Sequence, residues 1–148
     1  MTATNHTSTG ILIGTLLPAP IAIPLALASH FLLDSIPHYS DDNVTSDQQK
    51  FLRYLIIDGA LAASLLISVV ILVPQNWILL TICGVMGALP DLMWLPHWLK
   101  SGQTEKKVYS KKLERFHHNI QWSESKRGLI IEAFWFTAIL SLLAVNLW

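Results

Sequence analysis

Two histidines and an aspartate, His30, Asp34 and His38, follow one another at steps of four residues in an otherwise apolar segment. Residues i and i+4 lie one above the other on a helix, so His30 and Asp34 share a face. Pro37 should end or bend that helix and let the His38 imidazole swing back toward the same face. Imidazoles and a carboxylate are ligands of zinc, iron or manganese. The spacing therefore predicts a metal site, and the alternative is a polar helix end at a membrane surface.

Other histidines and carboxylates complete the candidate site. The predicted metal ligands are His6, His30, Asp34, His38, Asp91, His117 and His118. Asp34 and Asp58 are the predicted catalytic groups, because a carboxylate can take the proton of a metal-bound water. Asp58 should face the helix bundle and find a partner, because an ionised side chain facing lipid near a helix centre costs about 2.5–3.5 kcal/mol. Asp91 is equally compatible with a helix cap.

The adjacent histidines His117 and His118 present a geometric choice. Neighbouring residues point about 100° apart on a helix, so only one of the pair can easily face a common centre. The other could bind a second metal, orient a phosphate or contact lipid headgroups. The alternative for both is a basic, aromatic helix at the membrane interface that touches anionic lipid. Glu132 is a lesser candidate, as a partner that orients a ligand.

Composition sets the broad class of protein. The chain of 148 residues is 52% hydrophobic and 14% charged, which is too apolar for an ordinary soluble domain. Its formal net charge is zero and gives no general case for nucleic-acid binding. The single cysteine, Cys83, excludes an intramolecular disulfide and a cysteine-cluster metal site. We expect one membrane-embedded helical domain over residues 1–148, with membrane lipids as partners and no nucleic acid.

Four apolar segments must position the candidate residues. Residues 51–73, 77–89 and 128–148 each approach the roughly 20 residues that cross a hydrocarbon core. The first segment, residues 10–36, carries three prolines near its middle, which interrupt helical hydrogen bonding. The predicted fold class is therefore all-α, a polytopic membrane helix bundle with an N-terminal proline-turned helical hairpin and three further membrane helices.

The hairpin has a consequence for the site. Its two helices are predicted at about Thr9–Leu17 and Ile21–Ser35, folded back at residues 17–20. His6 and His30 each lie 12 residues from Pro18, so a turn there brings them to the same level. A single straight helix would separate them by roughly 36 Å.

Charge asymmetry predicts the orientation in the membrane. Eight lysines and arginines lie in a loop at about residues 100–127, which the positive-inside rule places in the cytoplasm. With the N-terminal hairpin, this topology puts all the candidate histidines and aspartates in the cytoplasmic half of the bundle. We therefore expect an integral membrane protein whose site faces the cytoplasm.

Three short patches resemble the small bacterial inner-membrane proteins classed as metal-dependent hydrolases, among them the LexA-regulated inner-membrane hydrolases. The patches read Asn-His-Thr-Ser-Thr-Gly at 5–10, Ser-His-Phe-Leu-Leu-Asp at 29–34 and Gly-Ala-Leu-Pro-Asp at 87–91. That group carries an N-terminal His and the motifs Ser-His-x-x-x-Asp, Leu-Pro-Asp-x-Asp and His-Arg-Gly-x-Thr-His. Met93 stands where the second Asp of the Leu-Pro-Asp motif would be, and residues 116–119 match the His-Arg motif only loosely. The Ser-His element comes first here and last there. The resemblance implies a metal site and a bacterial cytoplasmic (inner) membrane.

Three functions are compatible with these residues. The first is a metal-dependent hydrolase that cleaves a phosphoester-type bond in a lipid or other membrane-associated substrate from the cytoplasmic side. Its divalent ion would be zinc in the first place, with manganese or iron as alternatives. The second is a membrane di-iron oxidase or hydroxylase, whose iron shells carboxylates would complete. The third is a non-enzymatic ion-translocating or scaffold membrane protein, in which the buried acids are packing or proton-relay groups.

Overall fold

The regular structure is helical throughout the part of the chain that the computed structural model describes, residues 1–41, 45, 47–93 and 112–147. The all-α class predicted from the sequence is thus confirmed. In chain order the elements are α1 (Ala3–Leu16), α2 (Ala19–Asp34), α3 (Gln48–Leu72), α4 (Trp77–Ala88), a 3-10 segment (Leu89–Met93), α5 (Lys112–Ile120) and α6 (Gly128–Leu147). The first part of the predicted basic loop, residues 100–111, and Trp148 lie outside the described residues.

Helices α1 and α2 form the predicted hairpin. α1 ends at Leu16 because Leu17 is extended and precedes Pro18, and a residue before proline is disfavoured in the helical region. Pro20 lies in the first turn of α2, where the missing N–H would have had no helical partner. Pro24 is accommodated inside α2, which continues to Asp34. The two helices pack against each other, so the prolines mark a reversal of direction.

Helix α1 begins at Ala3, and the prediction of a start near Thr9 was wrong at this end. Thr2 caps the helix, its hydroxyl accepting a hydrogen bond from the backbone N–H of Asn5. The Asp58 carboxylate accepts two further hydrogen bonds from the first free N–H groups of the helix. His6 consequently lies on the helix itself.

Helix α1 is the centre of the bundle and contacts α2, α3, α4 and α6. Its N-terminal half is polar yet buried, from Thr4 to Thr9. Its C-terminal half contributes Ile11 and Leu12 to an apolar cluster with residues from α3, α4 and α6. The bundle thus has a polar end, at the start of α1, and an apolar end.

Glycines let α1 and α4 approach closely. A Cβ at Gly10 would overlap the Cys83 carbonyl, and a Cβ at Gly87 would overlap the His6 carbonyl. Gly84 is also tight, because a Cβ there would lie 2.8 Å from a Leu66 methyl group. Small residues at such crossings are typical of helices that pack in membranes. The close approach places the backbone of α4 directly beside His6.

Two helices, α3 and α6, are long and apolar enough to cross a membrane. Only 11% of the most apolar 18-residue stretch of α3 is buried inside the bundle, and only 22% of the corresponding stretch of α6. Large apolar side chains accordingly face outward, among them Ile71 at 68% exposure and Phe134 at 75%. The third predicted membrane helix, α4, has 12 residues, because the chain passes into the 3-10 segment at Leu89 before Pro90. Length and composition therefore identify two candidate spans among the described helices.

Candidate metal centre

Four side chains converge at the polar end of the bundle. His6 comes from α1, His30 and Asp34 come from α2, and Asp91 comes from the 3-10 segment. Each offers one ligand atom, and these atoms all lie within 4.8 Å of one another. The His6 and His30 rings stack with their centroids 4.0 Å apart, which is the shared level predicted for the hairpin. Histidine nitrogens and carboxylate oxygens are the donor set of zinc, manganese and iron sites, so the cluster could hold such an ion.

The orientation of the His30 ring favours metal binding. Its Nδ1 lies 2.8 Å from the carbonyl oxygen of Gly87, and a carbonyl can only accept, so Nδ1 carries the proton. A neutral ring therefore directs the lone pair of Nε2 into the cluster. A backbone carbonyl that fixes the ring and its tautomer in this way is typical of metal-binding histidines. Nε2 lies 3.2 Å from Asp34 Oδ2 and 3.7 Å from Asp91 Oδ1.

Helix α5 adds a fifth side chain. His117 Nε2 lies 3.0 Å from His30 Nε2 and 2.8 Å from Asp34 Oδ2. The adjacent His118 is exposed on another face of α5 and is not in the cluster. This is the geometry expected of neighbouring residues on a helix, of which one points inward. The structure therefore brings together five of the seven predicted ligands and leaves His38 and His118 apart.

Asp34 is the hub of the cluster and is fully buried. Oδ1 lies 3.0 Å from His6 Nε2 and also contacts the amino group of Met1. Oδ2 accepts a hydrogen bond from the Gln121 side-chain amide at 3.2 Å, in addition to facing the two histidines already described. A buried carboxylate needs such partners, because an isolated buried charge is strongly unfavourable. Gln121 and the Met1 ammonium group donate to Asp34, and the histidine nitrogens that face its oxygens could share them with a metal ion.

Asp91 lies at the mouth of the cluster. Its side chain is 23% exposed, against 9% for His117 and none for His6, His30 and Asp34. Burial raises the pKa of the Asp91 carboxyl to about 6. The neighbouring Asp34 carboxylate raises this pKa further. Asp91 is therefore the cluster carboxylate that solvent reaches and that a proton competes for most strongly near neutrality.

His38 is buried outside the cluster. Its Nδ1 donates to the Ile36 carbonyl oxygen at 2.8 Å, and its Nε2 lies 3.5 Å from a carboxylate oxygen of Glu124. Hydrogen bonding to this imidazole lowers the pKa of Glu124. The chain does not swing back toward α2 after Pro37, because residues around His38 pair with the segment before α6. Ser125 donates its backbone N–H to the His38 carbonyl at 2.9 Å.

Asp58, a predicted catalytic carboxylate, faces the bundle and finds its partner at the start of α1. Its Oδ2 lies 2.7 Å from the Ala3 nitrogen, and its Oδ1 lies 3.0 Å from the Thr4 nitrogen and 2.5 Å from the Thr4 hydroxyl. Glu132 acts similarly from α6, accepting hydrogen bonds from the Asn5 side chain and the Tyr39 backbone. These acids hold α1, and through it His6, in place.

Gln121 and the Gly87 carbonyl contribute to the cluster and were not foreseen from the sequence. Gln121 follows His117 by four residues, so the i+4 spacing that singled out His30 and Asp34 could have identified it. The Gly87 carbonyl carries no signal in the side-chain pattern, since any residue supplies a carbonyl. It is available because Gly87 lies in the last turn of α4, where backbone carbonyls lack a helical partner, and because α4 packs against α2.

The comparisons with known proteins identify no family for the chain. No family model, no curated protein and no solved structure matches it. The resemblance noted from the three patches stays a prediction.

Proposed function

We propose that this chain is a membrane-embedded, metal-dependent hydrolase that acts on a phosphoester bond of a lipid or other membrane-associated substrate. The observation that carries the proposal is the convergence of His6, His30, Asp34 and Asp91 at the polar end of the bundle. A bound divalent ion would lower the pKa of a coordinated water and polarise the oxygen of the scissile bond. Zinc is the first choice of ion for this donor set, with manganese and iron as alternatives.

The exposure pattern supports a membrane location. Helices α3 and α6 leave most of their apolar surface uncovered, whereas the polar N-terminal half of α1 is buried. This distribution suits a lipid surrounding, because lipid tails favour apolar side chains and polar groups must find partners inside the bundle. We assign the chain to an integral membrane location, with α3 and α6 as spans and with the α1–α2 hairpin and α4 embedded beside them. The assignment to a bacterial inner membrane rests on the motif resemblance alone.

The surroundings of Asp91 favour an anionic substrate. Asp91 is the most exposed member of the cluster, with 23% of its side chain exposed, and the buried His117 follows at 9%, so a substrate would arrive between the 3-10 segment and α5. Helix α5 carries exposed Lys112 and Arg115, and such basic residues attract anionic headgroups or phosphate. The attacking water should bind on this same side, next to Asp91.

Phosphorus NMR of detergent–lipid micelles tests the proposal. Full-length protein, loaded with zinc or manganese, is incubated with anionic phospholipid, and release of phosphate or of a water-soluble phosphate ester is followed. Release should need the metal, stop with a chelator and be lost in Asp91→Asn. It should persist in His118→Gln, which alters an exposed residue of the same region.

A folded, metal-loaded wild-type protein that releases no phosphate product would contradict the hydrolase proposal. Iron as the bound metal, together with oxygen uptake in the presence of lipid, would instead support the oxidase alternative.

A further inference from the structure

The two carboxylates of the cluster each divide their oxygens between different histidines. From this division we infer that the centre holds two divalent ions, bridged by Asp34 and Asp91. The inference rests on the proposed metal centre and adds the number of ions and the role of each histidine.

Asp34 shows the division most clearly. Its Oδ1 faces His6, with 3.0 Å between Oδ1 and the His6 Nε2. Its Oδ2 faces the other two histidines, at 3.2 Å from His30 Nε2 and 2.8 Å from His117 Nε2. A carboxylate that bound a single ion through one oxygen would leave its other oxygen to a hydrogen-bond donor and not to a second set of metal-binding nitrogens. Here the two oxygens serve two groups.

Asp91 repeats the division from the opposite side. Its Oδ2 lies 4.0 Å from His6 Nε2, whereas its Oδ1 lies 3.7 Å from His30 Nε2 and 3.9 Å from His117 Nε2. Both carboxylates therefore assign one oxygen to His6 and the other to the His30–His117 pair. This parallel assignment is the pattern of two bridging carboxylates.

The ligand spacing around the His30–His117 pair fits a tetrahedral ion. Bonds of about 2.0–2.1 Å in a tetrahedron place the ligand atoms about 3.3 Å apart. The five distances given above among the two Nε2 atoms, Asp34 Oδ2 and Asp91 Oδ1 range from 2.8 to 3.9 Å. Two nitrogens and two oxygens thus complete a four-coordinate shell for the first ion.

The second position, beside His6, has fewer protein ligands. It is bounded by His6 Nε2, Asp34 Oδ1 and Asp91 Oδ2. The amino group of Met1 contacts the same Asp34 oxygen, so an ion here would compete with that ammonium group for Oδ1. A shell with three protein ligands retains a position for water or substrate, as catalytic sites do.

Two ions would also give the centre a net positive charge. Two divalent cations exceed the charge of two carboxylates, so the neutral histidines would leave a net positive site that attracts a phosphoester anion. In hydrolases with paired ions, about 3.5–4 Å apart, one ion stabilises the attacking oxygen and the other the leaving oxygen. The ion beside His6, which has only three protein ligands, is the one we assign to the attacking water.

Metal stoichiometry with manganese as the probe tests the inference. Full-length protein with a C-terminal tag is purified in detergent, loaded with Mn²⁺ and freed of excess ion. We expect two Mn²⁺ per chain by elemental analysis and an exchange-coupled electron paramagnetic resonance spectrum. His6→Gln and His117→Gln should each retain one uncoupled ion, and His118→Gln should keep both.

The outcomes separate the two proposals. One ion per chain in folded wild-type protein would overturn the two-ion inference and leave the metal centre standing. A coupled pair retained in both His6→Gln and His117→Gln would also overturn it, because neither histidine would then define a position. No bound ion in folded wild-type protein would refute the metal centre itself.

Discussion

Replacing Asp58 with asparagine should destabilise the fold without removing any of the proposed metal ligands. The carboxylate holds the first turn of α1 through three hydrogen bonds, two from backbone N–H groups and one from the Thr4 hydroxyl. Asparagine keeps one oxygen and turns an NH₂ donor toward a group that is itself a donor. At least one buried N–H would lose its acceptor, and the negative charge opposite the helix N-terminus would disappear.

The expected loss follows from the individual contributions. A hydrogen bond to a charged group contributes about 1.5–3 kcal/mol, and the helix dipole interaction about 0.3–1 kcal/mol. Together they give about 2–4 kcal/mol for one lost charged hydrogen bond and the lost charge. For a chain of this size each kcal/mol lowers Tm by about 2–4 °C, so the Tm of Asp58→Asn should fall by about 4–16 °C.

Thermal unfolding in detergent, read together with metal content, provides the assay. Asp47→Asn is the matched control, because Asp47 caps α3 through Gln49 and Lys50 but is exposed. The Tm of Asp47→Asn should fall less than that of Asp58→Asn, because water can hydrogen-bond to the exposed N–H groups that lose their acceptor. An Asp58→Asn protein that keeps the wild-type Tm and metal content yet loses turnover would refute the capping role and restore Asp58 as a catalytic residue.

Three further outcomes are expected. Gly87→Ala should lower the free energy of unfolding by about 1–3 kcal/mol or more, because the added Cβ would overlap the backbone of α1. Gly59→Ala is the control and should be neutral or stabilising, because a Cβ there meets open space. Equal denaturation midpoints for the two variants would contradict this prediction. The metal dissociation constant should rise about tenfold per pH unit below the pKa of Asp91, about 6, because protons then compete with the ion for that carboxylate. A dissociation constant that isothermal calorimetry finds unchanged between pH 7 and 5 would contradict the assignment of Asp91 as a ligand. His38→Gln should lower Tm through its lost contact with Glu124 but leave metal content unchanged, and loss of metal would return His38 to the ligand set.

The hairpin and the pairing of His6 with His30 could be predicted because both depend on local signals. Prolines 18 and 20 mark the reversal, and equal distances along the chain fix which residues meet. The inward turn of one histidine of the pair at 117 and 118 follows from helix geometry alone. These features need no knowledge of which helices pack together.

The beginning of α1 and the position of His38 depend on tertiary contacts, and the sequence analysis did not predict them correctly. Residues 3–9 are mostly small and polar, a composition that does not suggest a buried helix, and Asp58 and Glu132 supply the hydrogen-bond acceptors that make burial possible. His38 is positioned by Ser125, 87 residues further along the chain. No local pattern encodes a pairing at that distance.

Elemental analysis of the purified protein tests the central claim most directly. Detergent-purified wild type is compared with His30→Ala/Asp34→Ala and with His118→Ala, after circular dichroism has established that all three are folded. A divalent metal at one or more ions per chain in wild type and His118→Ala, lost in the double variant, is the predicted result. Folded wild-type protein without bound metal, even after incubation with zinc, manganese or iron, would contradict the claim that this cluster is a metal centre.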